Sequence, residues 1–321
     1  MKRAIILGAS GQDGAYLSRF LLDRDYEVHG TSRDAEMRTF HRLEQLGVRD
    51  RVAMHSVSMR DFRELLQLIS TVQPNEIYNL AGQSSVALSF SQPIETMESI
   101  ATGELLVLEA IRYLRLPIRL YNSGSSECFG DTAVGSASDE RTPFVPRSPY
   151  ATAKATAHWT TTNYREAYGL FACSGILFNH ESPFRSERFV TKKVADAAAA
   201  IAAGKQKTLQ LGNLEISRDW GYAPEYVEAM WQMLQRDEPD DFVIATGESH
   251  TLQEFVAAMF AAHGLDWRVH VETRPELLRP SDLRYSRGNP AKAKQILGWE
   301  AKTKFADLIG KLVGVASGKS T

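Results

Sequence analysis

A short apolar run that breaks directly into a glycine-spaced turn, IILGASGQDGAYL, constrains this chain more than any other feature. Gly8, Gly11 and Gly14 stand three apart, after a strand-like stretch and at the opening of a helix-like one. Glycines there let a diphosphate approach the free backbone N–H groups at the positive end of the helix, where side chains would hold it off. A glycine triplet is also compatible with a plain tight turn; its place right after the first strand points to dinucleotide binding. The loop residues expected to touch such a cofactor are Gly8, Ser10, Gly11, Gln12, Asp13 and Gly14.

Up to about residue 178, short β-branched runs alternate with longer amphipathic ones, the pattern of parallel strands joined by crossover helices. Strands are expected over residues 4–7, 27–31, 52–56, 76–80, 118–123 and 172–178. The fold class is therefore α/β. A Rossmann-type doubly wound parallel sheet is expected over residues 1–178, with room for later segments to return to it. A smaller C-terminal α/β lobe for substrate follows over 179–315, and 316–321 reads as a flexible polar tail. One helix opens at Tyr150, with Ser148 placed to cap it, Pro149 in its first turn and Gly169 to end it. A second, Ala-rich helix is expected over 190–203.

Charge and cysteine usage narrow the partner. With 37 basic and 39 acidic residues, net charge −2, the chain has no global field to recruit nucleic acid or an anionic membrane. No apolar run approaches the roughly 20 residues of a membrane span. Cys128 and Cys173 can build neither a disulfide framework nor a zinc cluster, so no metal is expected and a reducing cytoplasm is. His55, His158, His263 and His270 lack metal-ligand spacing. A small-molecule substrate remains.

The second strand ends in Ser32, Arg33, Asp34. An arginine there favours the extra phosphate of NADP, whereas a carboxylate favours the ribose hydroxyl of NAD and repels that phosphate. Arg33 leans the reading to NADP, and Asp34 keeps NAD open. Tyr150 and Lys154, four apart, share one helix face. A nearby ammonium stabilises a phenolate and lowers its pKa, so the pair could take a proton from a sugar hydroxyl, although such spacing also arises on ordinary exposed faces. Ser125 and Glu127 follow the strand 118–123 and so emerge at the carboxyl end of the sheet, where ligands bind. Alone, they would read as a turn hydroxyl and a solvated carboxylate.

Together with YNLAGQSSV, SSECFG, RSPYATAK, GILFNHESPFR, FVTKKV, LGNLEISRDWGY and RPSDLRYSRGNPAKAKQILGW, these residues resemble the extended short-chain dehydrogenase/reductases. Within them the likeness is to the nucleotide-sugar 4,6-dehydratases that act on GDP-mannose, and it spans nearly the whole chain. The resemblance implies catalytic roles for Ser125, Tyr150 and Lys154 as hydroxyl activators and for Glu127 as an added acid/base. It implies cofactor contacts at Arg33, Ser58, Met59, Leu80, Ala81, Gly82, Ser84, Tyr150, Lys154, His180 and Arg185. It implies substrate contacts at Ser85, Ser125, Glu127, Asn179, Val190, Lys193, Arg218, Arg279 and Asp282. The reaction implied is a hydro-lyase one: conversion of a GDP-linked sugar, GDP-mannose, to its 4-keto-6-deoxy form by internal hydride transfer from C4 to C6 through bound NADP. A homo-oligomer, dimer or tetramer, is implied too, with the long segment AEMRTFHRLEQL reaching a neighbouring subunit.

This chain departs from the family pattern in places. Ser125 stands for the usual Thr, Asp34 for a second arginine, Ser58 for an Asp that reads adenine, Asp282 for Glu, and Ser85 for a bulkier residue. The alternatives are a GDP-sugar 4-reductase or epimerase, which has no need of Glu127, a GDP-heptose 4,6-dehydratase, and an inactive NADP-binding regulatory protein.

Overall fold

Why the amino-terminal half forms one sheet is visible in its strands. In a computed structural model describing residues 1–37 and 39–316, β1 (Arg3–Leu7) reads RAIIL and is buried on both faces from its second residue on. Such strands belong in the middle of a parallel sheet covered by helices on both sides. β2 (Glu27–Ser32), β3 (Val52–Ser56), β4 (Glu76–Asn79), β5 (Arg119–Ser123) and β6 (Ala172–Leu177) lie within a residue of the expected bounds. All pair in parallel.

A seventh strand, Phe242–Ile244, returns from the second half of the chain and pairs in parallel with β6. The order is then Phe242–Ile244, β6, β5, β4, β1, β2, β3, which places the reversal of winding between β1 and β4. That reversal opens a crevice at the carboxyl ends of the strands.

Two cores hold the sheet. One face packs Ala4, Ile6, Val28 and Tyr78 against the first helix, α1 (Gln12–Leu22), and against Tyr226, Met230 and Met233 of the helix Ala223–Leu234. The other packs Ile5, Leu7, Ile77 and Leu120 against Leu65, Leu68 and Ile69 of the helix Phe62–Val72 and Val107, Leu108 and Ile111 of the helix Gly103–Leu114. A separate cluster joins the Ala-rich helix Val190–Ala202 to Phe255, Met259 and Phe260 of the helix Leu252–Ala261 and to Leu308 and Leu312. Small two-stranded sheets complete this half, one pairing β7 (Asn179–Glu181) with Trp220–Tyr222.

The helix Pro149–Tyr168 starts as its sequence directs: the Ser148 side chain accepts from the Ala151 N–H at 3.1 Å, and Gly169 ends it. Among the described residues no helix is long and apolar enough to cross a membrane. The polar tail 317–321 lies outside the described residues.

Candidate active site

The crevice is a cavity of about 900 Å³. Its floor is the glycine loop, Gly8 and Ser10 to Gly14; one wall is Ser32, Arg33, Ser58, Met59 and Arg60, and the opposite wall is residues 80–85. Arg185, Arg188 and Phe189 close it from the far side.

The cavity has the properties a dinucleotide requires. Gly8 has φ +86°, and a Cβ there would stand 3.1 Å from the backbone of Ala81. At Gly14 a Cβ would come within 2.5 Å of the Gly8 carbonyl oxygen. Only glycines permit this close folding of the loop onto the strand ends. Gly11 caps α1 without any side-chain bond, so the first-turn N–H groups are not taken by a side-chain cap. The Ser32 hydroxyl is buried, lines the cavity and has no hydrogen-bond partner in the protein. A buried donor of this kind needs a bound oxygen or water to satisfy it.

Gln12 and Asp13 line the cavity yet direct their side chains into the protein, towards His180, which does not line it. Gln12 donates to the His180 carbonyl at 3.1 Å and accepts from Ser182 at 2.7 Å. His180 bonds Asp13 through Nε2 at 2.9 Å, and its Nδ1 faces the Phe178 carbonyl at 2.7 Å. With acceptors at both ring nitrogens the ring carries both protons. Burial works against that charge, but the Asp13 carboxylate outweighs it and raises the His180 pKa. The Asp13 pKa is lowered in return, His180 overcoming the burial that would raise it. Thus Gln12, Asp13 and His180 join the glycine loop to the start of the second half.

At the ribose end the two competing groups separate. Arg33 lines the cavity with 71% of its side chain exposed and 3.8 Å from Glu95. Asp34 instead accepts from the Met37 N–H at 2.9 Å and closes a turn of the following segment. Three cavity arginines were not expected: Arg42, Arg60 and Arg188. Arg60 pairs with Glu95 and Glu98, each at 2.9 Å. Arg42 donates to the Ser10 and Phe184 carbonyls at 3.1 and 2.9 Å. Arg42 comes from the long connection after β2, whose excess length was the one local signal for it.

Ser125, Glu127, Tyr150 and Lys154 do not line this cavity; Ser125 opens a turn, accepts from the Glu127 N–H at 3.3 Å, and acts on the Tyr150 phenol so as to lower its pKa. It is therefore both the turn hydroxyl and a partner of the tyrosine. Lys154 donates to the Ser123 carbonyl at 2.6 Å and to its hydroxyl at 3.1 Å, 6.0 Å from the centre of the Tyr150 ring. Burial dominates both groups: it pushes Lys154 down to about 8 and the Tyr150 phenol up, against the pull of Ser125. The lowered phenol expected from the Tyr-x-x-x-Lys spacing is thus not found, because removal from water outweighs any help from its neighbours.

Glu127 is partly buried, and burial raises its carboxyl above the usual range, opposed by Arg218 and Arg279 and reinforced by Asp282. Those three come from distant segments. Arg218, only 5% exposed, pairs with Asp282 at 3.0 Å, and Arg279 reaches the same carboxylate oxygen at 3.4 Å. The fold therefore brings Glu127, Arg218, Arg279 and Asp282 into one electrostatic cluster. Ser85 lines the cavity and caps the short helix after it, accepting from Leu88 at 3.2 Å. Asn179, Val190, Lys193, Arg218, Arg279 and Asp282 do not line the cavity; Lys193 donates to the Gln210 carbonyl at 2.8 Å.

The chain matches the GDP-mannose 4,6 dehydratase family model over residues 5–312. It is 47% identical to GDP-mannose 4,6 dehydratase 1 of Arabidopsis thaliana over 97% of this chain and 89% of that one. It is 44% identical to GDP-mannose 4,6-dehydratase of Sinorhizobium fredii, covering 97% and 95%. Among solved structures, UDP-glucose 4-epimerase of Thermus thermophilus in complex with NAD superposes with a TM-score of 0.86 at 27% identity, covering 99% and 100%. Fold, glycine loop, tyrosine helix and acid/base cluster agree with the sequence-wide match: this chain belongs to the GDP-mannose 4,6-dehydratase family.

Proposed function

We propose that this chain is a hydro-lyase that removes water from GDP-mannose to give GDP-4-keto-6-deoxymannose. The observation that carries this is Glu127: a partly buried carboxyl two residues after Ser125, raised by burial and opposed by the charges of Arg218 and Arg279. A reductase or epimerase of the same fold needs Tyr150 and Lys154 but no such acid/base.

In this reading Tyr150 takes the proton of the sugar 4-hydroxyl as C4 is oxidised, with Ser125 orienting the phenol and Lys154 supplying positive charge. A nicotinamide cofactor, which the glycine loop, Ser32 and Arg33 would hold, would supply both the acceptor and the donor of the hydride, so there would be no net oxidation. The 4-ketone acidifies the C5 proton, which Glu127 removes and passes to the departing C6 hydroxyl, releasing water. A proton is then restored at C5. A raised carboxyl pKa suits a group that must both take and give a proton near neutral pH. Arg218 and Arg279 hold the diphosphate, for which the planar guanidinium fork offers two bonds at once. Asn179, Val190 and Lys193 complete the sugar-nucleotide side.

NADP is the cofactor proposed. Arg33 and the unpartnered Ser32 hydroxyl line the cavity at the end of the second strand, which supports a cofactor with the extra phosphate, while Asp34 is tied into its own turn. A homo-oligomer is proposed from Leu105, Tyr113, Trp159 and Tyr168, exposed apolar side chains on the adjacent helices Gly103–Leu114 and Pro149–Tyr168. The buried free thiols Cys128 and Cys173 suit the cytoplasm.

The deciding experiment incubates the purified protein with GDP-mannose and no added cofactor, following loss of one water by mass spectrometry. Dehydration supports both the reaction and a cofactor retained through turnover; heat-released cofactor from the same sample identifies NADP or NAD. Substrate left unchanged even after NADP+ is supplied would overturn the reading.

A further inference from the structure

The far side of the cavity is closed by a segment that one side chain ties to the glycine loop. Arg42 lies on the short helix His41–Gln45 in the long connection after β2, flanked by Phe40 and Leu43, which are both buried in the core. Its base is therefore fixed. Its guanidinium reaches two backbone carbonyls of distant segments: Nη1 donates to Ser10, inside the glycine loop, at 3.1 Å, and Nε donates to Phe184 at 2.9 Å. The Phe184 carbonyl belongs to the peptide unit that leads into Arg185, and Arg185, Arg188 and Phe189 are the residues that wall the cavity there.

We propose that Arg42 is a positioning residue for the dinucleotide: it latches the segment 184–189 to the glycine loop, so that Arg185 and the wall after it stay closed over the cofactor through turnover. The start of the segment is seated by other contacts. Ser182 donates to Gln12 at 2.7 Å, and the Phe184 ring stacks on Tyr16 with ring centroids 4.9 Å apart. Those contacts end on side chains of α1, whereas Arg42 joins backbone to backbone across the glycine loop itself. Within the segment, Arg185 stands 3.1 Å from the Glu181 carboxylate, and its guanidinium lies 3.6 Å from the centre of the Phe189 ring. A shift of the backbone at Phe184 is therefore passed on to the residues that wall the cavity. An arginine suits this task because its planar fork presents donors in fixed directions, so one side chain holds two acceptors at once. A lysine keeps the charge on a flexible stem but has no fork.

The inference rests on reading the cavity as a dinucleotide site, and the cofactor content of the wild type tests that reading separately. Loaded with NADP+ and passed through gel filtration at timed intervals, Arg42→Met is expected to lose the dinucleotide roughly 10–100-fold faster than the wild type, the equivalent of one charge-assisted hydrogen bond or a little more. Arg42→Lys, which keeps the charge but not the fork, is expected to lose it faster than the wild type as well. In the full chain without cofactor, hydrogen exchange at the amides of 184–189 is expected to quicken in Arg42→Met, while peptides from β4 and β5 exchange as in the wild type. That measurement tests the latch even where the dinucleotide reading fails. Unchanged exchange at 184–189 beside faster release would mean that Arg42 acts by touching the cofactor directly. Exchange quickened throughout the chain would mean a general loss of stability, and full retention in Arg42→Lys would mean that charge suffices. Any of these three, or unchanged release from Arg42→Met, would overturn the latch.

Discussion

The glycine loop and the arginine cluster are the two places proposed to hold phosphate, and they are made in opposite ways. In the loop, Gly8 and Gly14 let backbone approach backbone, and the free N–H groups at the start of α1 provide the positive end. In the cluster, Arg218 comes from one segment and Arg279 and Asp282, three apart, from another, and both guanidinium groups pair with the Asp282 carboxylate. A site built from backbone is unforgiving of added atoms, because nothing flexible can yield. A site built from side chains keeps its fold when one is changed and loses its chemistry instead.

The largest effect should therefore come from Gly14→Val. Its Cβ would sit 2.5 Å from the Gly8 carbonyl oxygen and 2.6 Å from the Ala9 Cα, so the loop must move. Destabilisation of about 3 kcal/mol or more is expected, together with loss of the retained cofactor. Thermal unfolding and the absorbance of the purified protein check it; an unaffected variant would break the comparison at its root.

Glu127→Gln is the contrasting change. It should lower turnover by about 10²–10⁴-fold while leaving the unfolding midpoint and cofactor content near wild type, as read by mass-spectrometric assay beside calorimetry. Normal amounts of deoxy product would remove the acid/base role.

Smaller still is Arg218→Met. One charge-assisted contact to the diphosphate is lost, about 2 kcal/mol or roughly 30-fold in KM, with kcat changed much less. Asp282 keeps Arg279 as a partner, which limits the structural cost. A drop confined to kcat would mean that Arg218 acts on the reacting sugar and not on ground-state binding.

The mildest prediction concerns the link between the two regions, the buried His180–Asp13 pair. His180 has a raised pKa, so its contribution is full below its ordinary value of 6.5 and fades as pH rises through the raised one. Asp13 has a lowered pKa, so its contribution is full above its ordinary value of 3.8 and fades as pH falls through the lowered one. The advantage of the wild type over His180→Gln in melting temperature should be greatest between pH 3.8 and 6.5. A difference that does not vary with pH would show that the pair is not ionised.

Legibility follows the same division. The six expected strands and the cap of the Tyr150 helix depend on neighbours in sequence, and they lie where sequence places them. The seventh strand was not among the expected ones: Phe242–Ile244 has three residues, and what makes it a strand is β6, far away in the chain. Arg60 was hidden for a similar reason, since its position after β3 becomes a cavity wall only when β3 lies beside β2.

Local periodicity, capping and glycine spacing by themselves determined the parallel sheet, the phosphate loop and the helix carrying Tyr150 and Lys154, because each is enforced within a few residues. Longer motifs tied the chain to its family. Only the tertiary structure decided how those groups are charged and what they face. It buried Tyr150 and Lys154 so that both shift against their charged forms, turned Asp34 out of the cavity, and brought Arg218, Arg279 and Asp282 within electrostatic reach of Glu127. The reason is physical: propensity acts between neighbours in sequence, whereas desolvation and Coulomb interactions act between neighbours in space.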